Sequence, residues 1–187
     1  DNMLYIVMSA NIRTDFLNTG TSDYDQDYDV ALSENKALAE AATLNDFLPR
    51  RYTKAKKDVA LEASFDINTT TTCGNYNFSE DTKGSSLTQI VTIDLGTPLA
   101  DESSVVILGS KGTVYASDKS IFIASATQNS WWLDGAYSDE TAIHRFAVDD
   151  EGKLPTYFGG RIIPGHMLNQ FSMGEYEGFL RVATTVN

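Results

Sequence analysis

Cysteine occurs once in this chain, at Cys73, histidine twice, at His144 and His166, and proline only four times. One thiol excludes an internal disulfide and any zinc site built from a cysteine cluster within these 187 residues. Neither histidine has Cys or His at ligand spacing, so each reads as structural. His144 shares a strand face with Ala142, Phe146 and Val148, and His166 sits in the Pro164-Gly165-His166 turn. Basic side chains are also scarce: 14 stand against 26 acidic ones, for a net charge of -12. A surface of that sign repels phosphates and has few cations with which to release counterions, which argues against nucleic acid as a partner. No apolar run approaches the ~20 residues of a bilayer-spanning helix. No signal peptide precedes the first strand-like run, and the chain opens on Asp1-Asn2 without an initiator Met, so it is expected to be a processed or trimmed piece. The Gly-x-Ser-x-Gly elbow, the phosphate loop and the dinucleotide fingerprint are missing too.

What is present is ordinary globular material, 42% hydrophobic and 11% aromatic, enough for a single domain over residues 1–187. Met3 to Ser9 is a short apolar run of the buried-strand kind. An acidic stretch from Asn18 to Asp29 follows, and then strong helix formers: Leu38, Ala41 and Ala42 stand at i, i+3, i+4. Thr43-Leu44-Asn45-Asp46 resembles a second helix start, with Asp46 answering Thr43 three residues on, and Pro49 stops it. A short helical insertion near residues 31–50 is therefore expected, inside an inserted region of residues 18–59 that also carries the acidic loop. The basic cluster from Arg50 to Lys57 reads as a solvated helix exit.

Beyond Ala60 nearly everything reads as strand. Leu87, Gln89, Val91, Ile93 and Leu95 share one face of an alternating run. Ser104 to Leu108 is short and β-branched. Thr113 to Ala116 and Ile121 to Ala124 flank Ser117-Asp118-Lys119-Ser120, a hairpin turn by its residues. Thr141 to Val148, Tyr157 to Ile163, Leu168 to Met173 and Phe179 to Val186 complete the set, the last two joined through Gly174 and Gly178. Helices do not alternate with strands, so the expectation is a mainly β, antiparallel architecture carrying a helical insert.

The second half carries a more specific likeness. Thr113-Val114-Tyr115-Ala116-Ser117, Ile121-Phe122-Ile123-Ala124 and Glu140-Thr141-Ala142-Ile143-His144-Arg145-Phe146 begin a series. Pro164-Gly165-His166-Met167-Leu168-Asn169-Gln170-Phe171-Ser172-Met173 and Gly178-Phe179-Leu180-Arg181-Val182-Ala183-Thr184-Thr185 complete it. Together with Asp46-Phe47-Leu48-Pro49-Arg50 and the Leu87 to Leu95 strand, in the same order, it resembles the secreted β-propeller-domain family of bacteria and archaea, which is distantly similar to the WD-type propellers. The resemblance implies propeller-like sheets, a secreted or cell-surface location and no generally established activity. At this length the chain holds two to three blades, an incomplete ring where a closed one has 4–8. Open sheet edges then invite self-association.

Two groups of residues are candidates for a site. Asp23, Asp25, Asp27, Asp29 and Glu34 stand at positions 1, 3, 5, 7 and 12 of a calcium-loop spacing. Tyr28 occupies position 6, where such a loop has the glycine of its sharp turn, so an acidic solvated loop competes with bound Ca2+ as the reading. Trp131 and Trp132, with Tyr137, form an aromatic loop suited to stacking on a sugar or peptide; the alternative is one ring packed into the sheet and one covering an edge. The carboxylate pairs Asp149/Asp150 and Glu175/Glu177 lie in turn-like stretches. The chain is therefore expected to be a non-catalytic extracellular scaffold or interaction domain with a protein or glycan partner. A carbohydrate- or peptide-binding module is the alternative, and a hydrolase fragment a more distant one. Asn68-Thr69-Thr70 and Asn77-Phe78-Ser79 match glycosylation acceptors, a pattern short enough to recur by chance.

Overall fold

The computed structural model describes residues 2–17, 28–48, 73–78, 85–97, 103–109, 111–127, 139–148 and 154–186. The chain divides into two compact units, residues 11–67 and residues 1–10 with 68–187. Residues 18–59 fall within the smaller of these units.

In the smaller unit, helix α1 spans Tyr28–Ala41 and helix α2 Leu44–Phe47. Asp46 closes the start of α2: its carboxylate accepts from the Thr43 N–H at 2.8 Å and the Thr43 hydroxyl at 2.7 Å. Those two bonds hold the Asp46 pKa below its ordinary value. Phe47 meets Phe16 edge to face at 5.0 Å, and the Arg13 N–H donates to the Phe47 carbonyl.

The larger unit is mainly strand among its described residues. Its first sheet has the order β1-β3-β4-β2, with β1 Met3–Asn11, β2 Tyr76–Asn77, β3 Ser86–Asp94 and β4 Ser103–Leu108. The Leu95 N–H donates to the Asn2 carbonyl at one end of the β1–β3 pair, and Ser9 bonds Thr88 at the other, so these strands run antiparallel. β3 and β4 are antiparallel as well, whereas the two-residue β2 adds to β4 in parallel. Asn77, the second glycosylation acceptor, spends its side-chain amide on the Asn75 and Val106 carbonyls, each at 3.2 Å.

The second sheet is an up-and-down meander, β5-β6-β7-β8, from β5 Thr113–Ala116, β6 Ser120–Ala126, β7 Glu140–Ala147 and β8 Thr156–Pro164. Four antiparallel strands in sequence order are the repeating unit of a propeller. A two-stranded ladder follows, β9 Met173–Tyr176 and β10 Phe179–Val182. Glu177 and Gly178 join its strands with φ of 50° and 79°, the two left-handed residues of a type I′ hairpin turn.

Two stretches depart from the expected strands. Leu168 to Met173 is not extended throughout: Asn169 caps a one-turn 3-10 helix, Gln170–Ser172, by accepting from the Phe171 N–H at 2.9 Å. A short polar side chain that bonds its own backbone competes with the ladder, so β9 starts only at Met173. β10 ends at Val182 because Thr185 pairs instead with His166 in an isolated antiparallel bridge.

The core lies on both faces of the central sheet. Strand β6 alternates its allegiance: Ile121 and Ile123 pack with Ile90, Val105, Ile107 and Phe146 between the first and second sheets. Phe122 and Ala124 pack on the other side with Ile143 and Met173, against the β9–β10 ladder. Among the described residues the result is a stack of two four-stranded sheets and a two-stranded third layer, in keeping with the propeller-like sheets expected from the sequence.

Candidate functional site

The β5–β6 turn, Ser117 to Lys119, lies at one end of this stack, and two features converge on it. The first is a half-open cleft of about 400 Å³ between the first and second sheets. Tyr5 and Val7 of β1 form one wall. Val114 and Ala116 of β5, Ile121 of β6 and Val148 beyond β7 form the other, with Ser117 and Asp118 at the mouth. Alternation builds these walls: Tyr5 and Val7 point inward, whereas Leu4, Ile6 and Met8 between and beside them are exposed.

The second feature is a polar network on the opposite face. Glu175 of β9, only 10% exposed, accepts from the Ser117 hydroxyl and from Ser120 at 3.4 Å, and pairs with Arg145 at 3.7 Å. Its backbone N–H donates to the Tyr115 hydroxyl at 2.9 Å. Arg145 also donates to Ser120 at 3.1 Å. The guanidinium lies 5.9 Å from the Phe122 ring centroid and 5.0 Å from that of Phe158. Phe158 occupies the extra position of a β-bulge: Arg145 registers with Gly159 and Phe146 with Tyr157. Carboxylate, guanidinium and two serine hydroxyls thus satisfy one another, Tyr115 holds the β9 backbone, and the network ties β9 to the β5–β6 turn. The sequence pairing of Glu175 with Glu177 does not hold, because Glu175 faces the core side of β9 and Glu177 forms the hairpin turn.

His144 occupies the core side of β7, 1% exposed, its Nδ1 3.1 Å from the Tyr157 hydroxyl. Gly160 opposite leaves room for the ring: a Cβ there would come 2.6 Å from His144 Nδ1. Among the described residues His144 Nε2 has no hydrogen-bond partner. Burial lowers the His144 pKa and raises that of Tyr157. A depressed histidine contributes stability that is present above its unfolded value of about 6.5 and is lost as pH falls through the folded value. Urea unfolding from pH 8 down to 5 is therefore expected to show wild type losing stability faster than His144→Leu. Parallel curves would mean that His144 does not titrate on unfolding.

At the far end of the stack, His166 Nδ1 meets Asp139 at 2.5 Å, and the Thr141 hydroxyl donates to the Gly165 carbonyl at 2.7 Å. His166 also exchanges both backbone bonds with Thr185, each at 2.9 Å. The dyad fastens residues 165–166 to the start of β7, and the backbone bonds to Thr185 fasten them to the segment beyond β10.

Of the residues singled out from sequence, Trp131, Trp132 and Tyr137 lie outside the described residues, as do Asp23, Asp25 and Asp27, Asn68, the basic cluster and Asp149/Asp150. Asp29 and Glu34 fall on α1, which is already helical at Tyr28. Positions 6 to 12 of the calcium-loop spacing are therefore helical, whereas positions 1 to 5 lie outside the described residues. Among the described residues no three His, Cys, Asp or Glu side chains gather as a metal site, and no helix is long and apolar enough to cross a membrane. Neither the cleft nor the Glu175 network was anticipated. The signal available was the Ser117–Ser120 turn, which places Asp118 at a hairpin tip.

A family model described as a beta propeller domain matches residues 1–187. Among curated proteins, an uncharacterized protein of Archaeoglobus fulgidus is 43% identical over 49 residues, 26% of this chain and 7% of that protein's length. No solved structure matches.

Proposed function

Because the chain belongs to the β-propeller-domain family, we propose that it is a non-catalytic interaction domain of the extracellular space or cell surface that holds a peptide segment of a partner in the cleft between its first two sheets. The cleft carries this reading: a concave, mainly apolar site with polar groups at its mouth, open to solvent, on a rigid scaffold. The non-catalytic part is supported by how the polar groups are used. Glu175 and Arg145 fasten one layer to the next, and Asp139 with His166 fastens a connection. Extracytoplasmic location belongs to the same proposal, and recovery of the native protein only from cytosol would remove it.

Peptide-display selection on the immobilised chain tests the reading. Selected peptides are expected to lose at least about tenfold in affinity for Ala116→Trp, which fills the cleft from an exposed position of β5. Ala116→Leu gives a milder obstruction if the larger ring disturbs folding. Peptides that bind both variants as well as wild type would place recognition elsewhere.

A further inference from the structure

Resting on that reading, we infer that the residue seated in the cleft is a lysine-type side chain, its alkyl stem between the sheets and its ammonium at Asp118. The walls are Val, Ile, Ala and Tyr, suited to a run of methylenes. At about 400 Å³ the cleft sits near the lower end of small-ligand sites, room for one side chain rather than for a helix.

Charge complementarity sets the sign of the occupant. Among the described lining residues Asp118 is the only one charged at neutral pH. Among the described residues, Arg145 is held by Glu175 and Ser120, and Lys119 does not line the cleft. The chain as a whole carries a net charge of -12. An ammonium entering here meets attraction from the turn and from the long-range field. A carboxylate meets repulsion from both.

The test uses two probes on the intact chain, Nα-acetyl-lysine amide and its uncharged counterpart Nα-acetyl-norleucine amide, followed by the methyl resonances of Val114 and Ile121. The lysine probe is expected to lose about threefold in affinity with Asp118→Asn, the scale of an exposed ion pair. It should lose about as much when ionic strength rises from about 0.02 M to about 0.5 M. Norleucine binding should respond to neither. If both probes shift the cleft methyls and Asp118→Asn changes neither affinity, the lysine inference falls while the cleft stands as an interaction site. If neither probe moves the methyls, the cleft is not a receptor and the broader reading falls with it.

Discussion

Replacing Phe146 with alanine is expected to cost about 3–5 kcal/mol, the scale for emptying a large aromatic site in a packed core. Phe146 is completely buried between the first and second sheets, within the cluster of Ile90, Val105, Ile107, Ile121 and Ile123. Its ring lies 5.2 Å from that of Tyr157. Strand β7 is hydrogen-bonded on both sides, to β6 and to β8, so it cannot slide inward to close the cavity. A melting temperature lower by roughly 10 °C or more follows for a domain of this size. Phe179→Ala is the control: that ring is 72% exposed on β10, and its loss should stay within about 0.5 kcal/mol. Equal losses in the two variants would mean that the interface between the sheets is not the main core. The functional consequence reaches the cleft, since Tyr5, Val7, Val114 and Val148 pack against the same cluster.

Much of the strand content was legible because alternation and turn residues are local signals. Met3 to Ser9, the Ser117–Ser120 turn and the paired runs around it correspond closely to β1, β5 and β6. Face assignment was harder. The run Leu87, Gln89, Val91, Ile93 suggests a single apolar face on β3, yet Thr88, Ile90 and Thr92 are at least as buried. A strand inside a stack of sheets is covered on both sides, and alternation then stops distinguishing core from solvent. Threonine satisfies such a face without looking hydrophobic: Thr88 is fully buried and bonds Ser9 across the sheet.

The site was less legible for a different reason. Its parts come from distant stretches of chain, with Ser117 and Glu175 standing 58 positions apart. Nothing local marks Glu175 as a buried carboxylate, because it follows a methionine and a glycine and precedes a hairpin turn. Only the pairing of β9 with β10 turns it to the same face as Met173 and Leu180. Composition drew attention instead to the acidic run and the tandem tryptophans, which are conspicuous in one dimension. The cleft is made by Val, Ala and Ile, residues conspicuous nowhere until two sheets face each other.

Gly112→Ala is expected to destabilise the chain by at least about 3 kcal/mol, above the usual cost of overpacking by one methyl. Gly112 enters β5, and a Cβ built on it would collide with the Ala124 carbonyl oxygen and lie 2.8 Å from the Ser125 Cα. Both contacts are backbone of β6, the strand that feeds both core clusters, so relief requires moving the ladder rather than rotating a side chain. The natural relaxation is for β5 to peel from β6 at the Thr113–Ala124 pair. That motion shifts Val114 and Ala116 and opens the cleft. The variant should therefore lose peptide binding at temperatures where most of its circular dichroism survives. Gly174→Ala separates this steric effect from a general intolerance of alanine in strands. A Cβ at Gly174 meets nothing within 4 Å, and its stability should change by no more than about 1 kcal/mol, in either direction. A Gly112→Ala protein that melts within about 1 kcal/mol of wild type would mean that β5 does not approach β6 this closely, and the wall of the cleft would have to be redrawn.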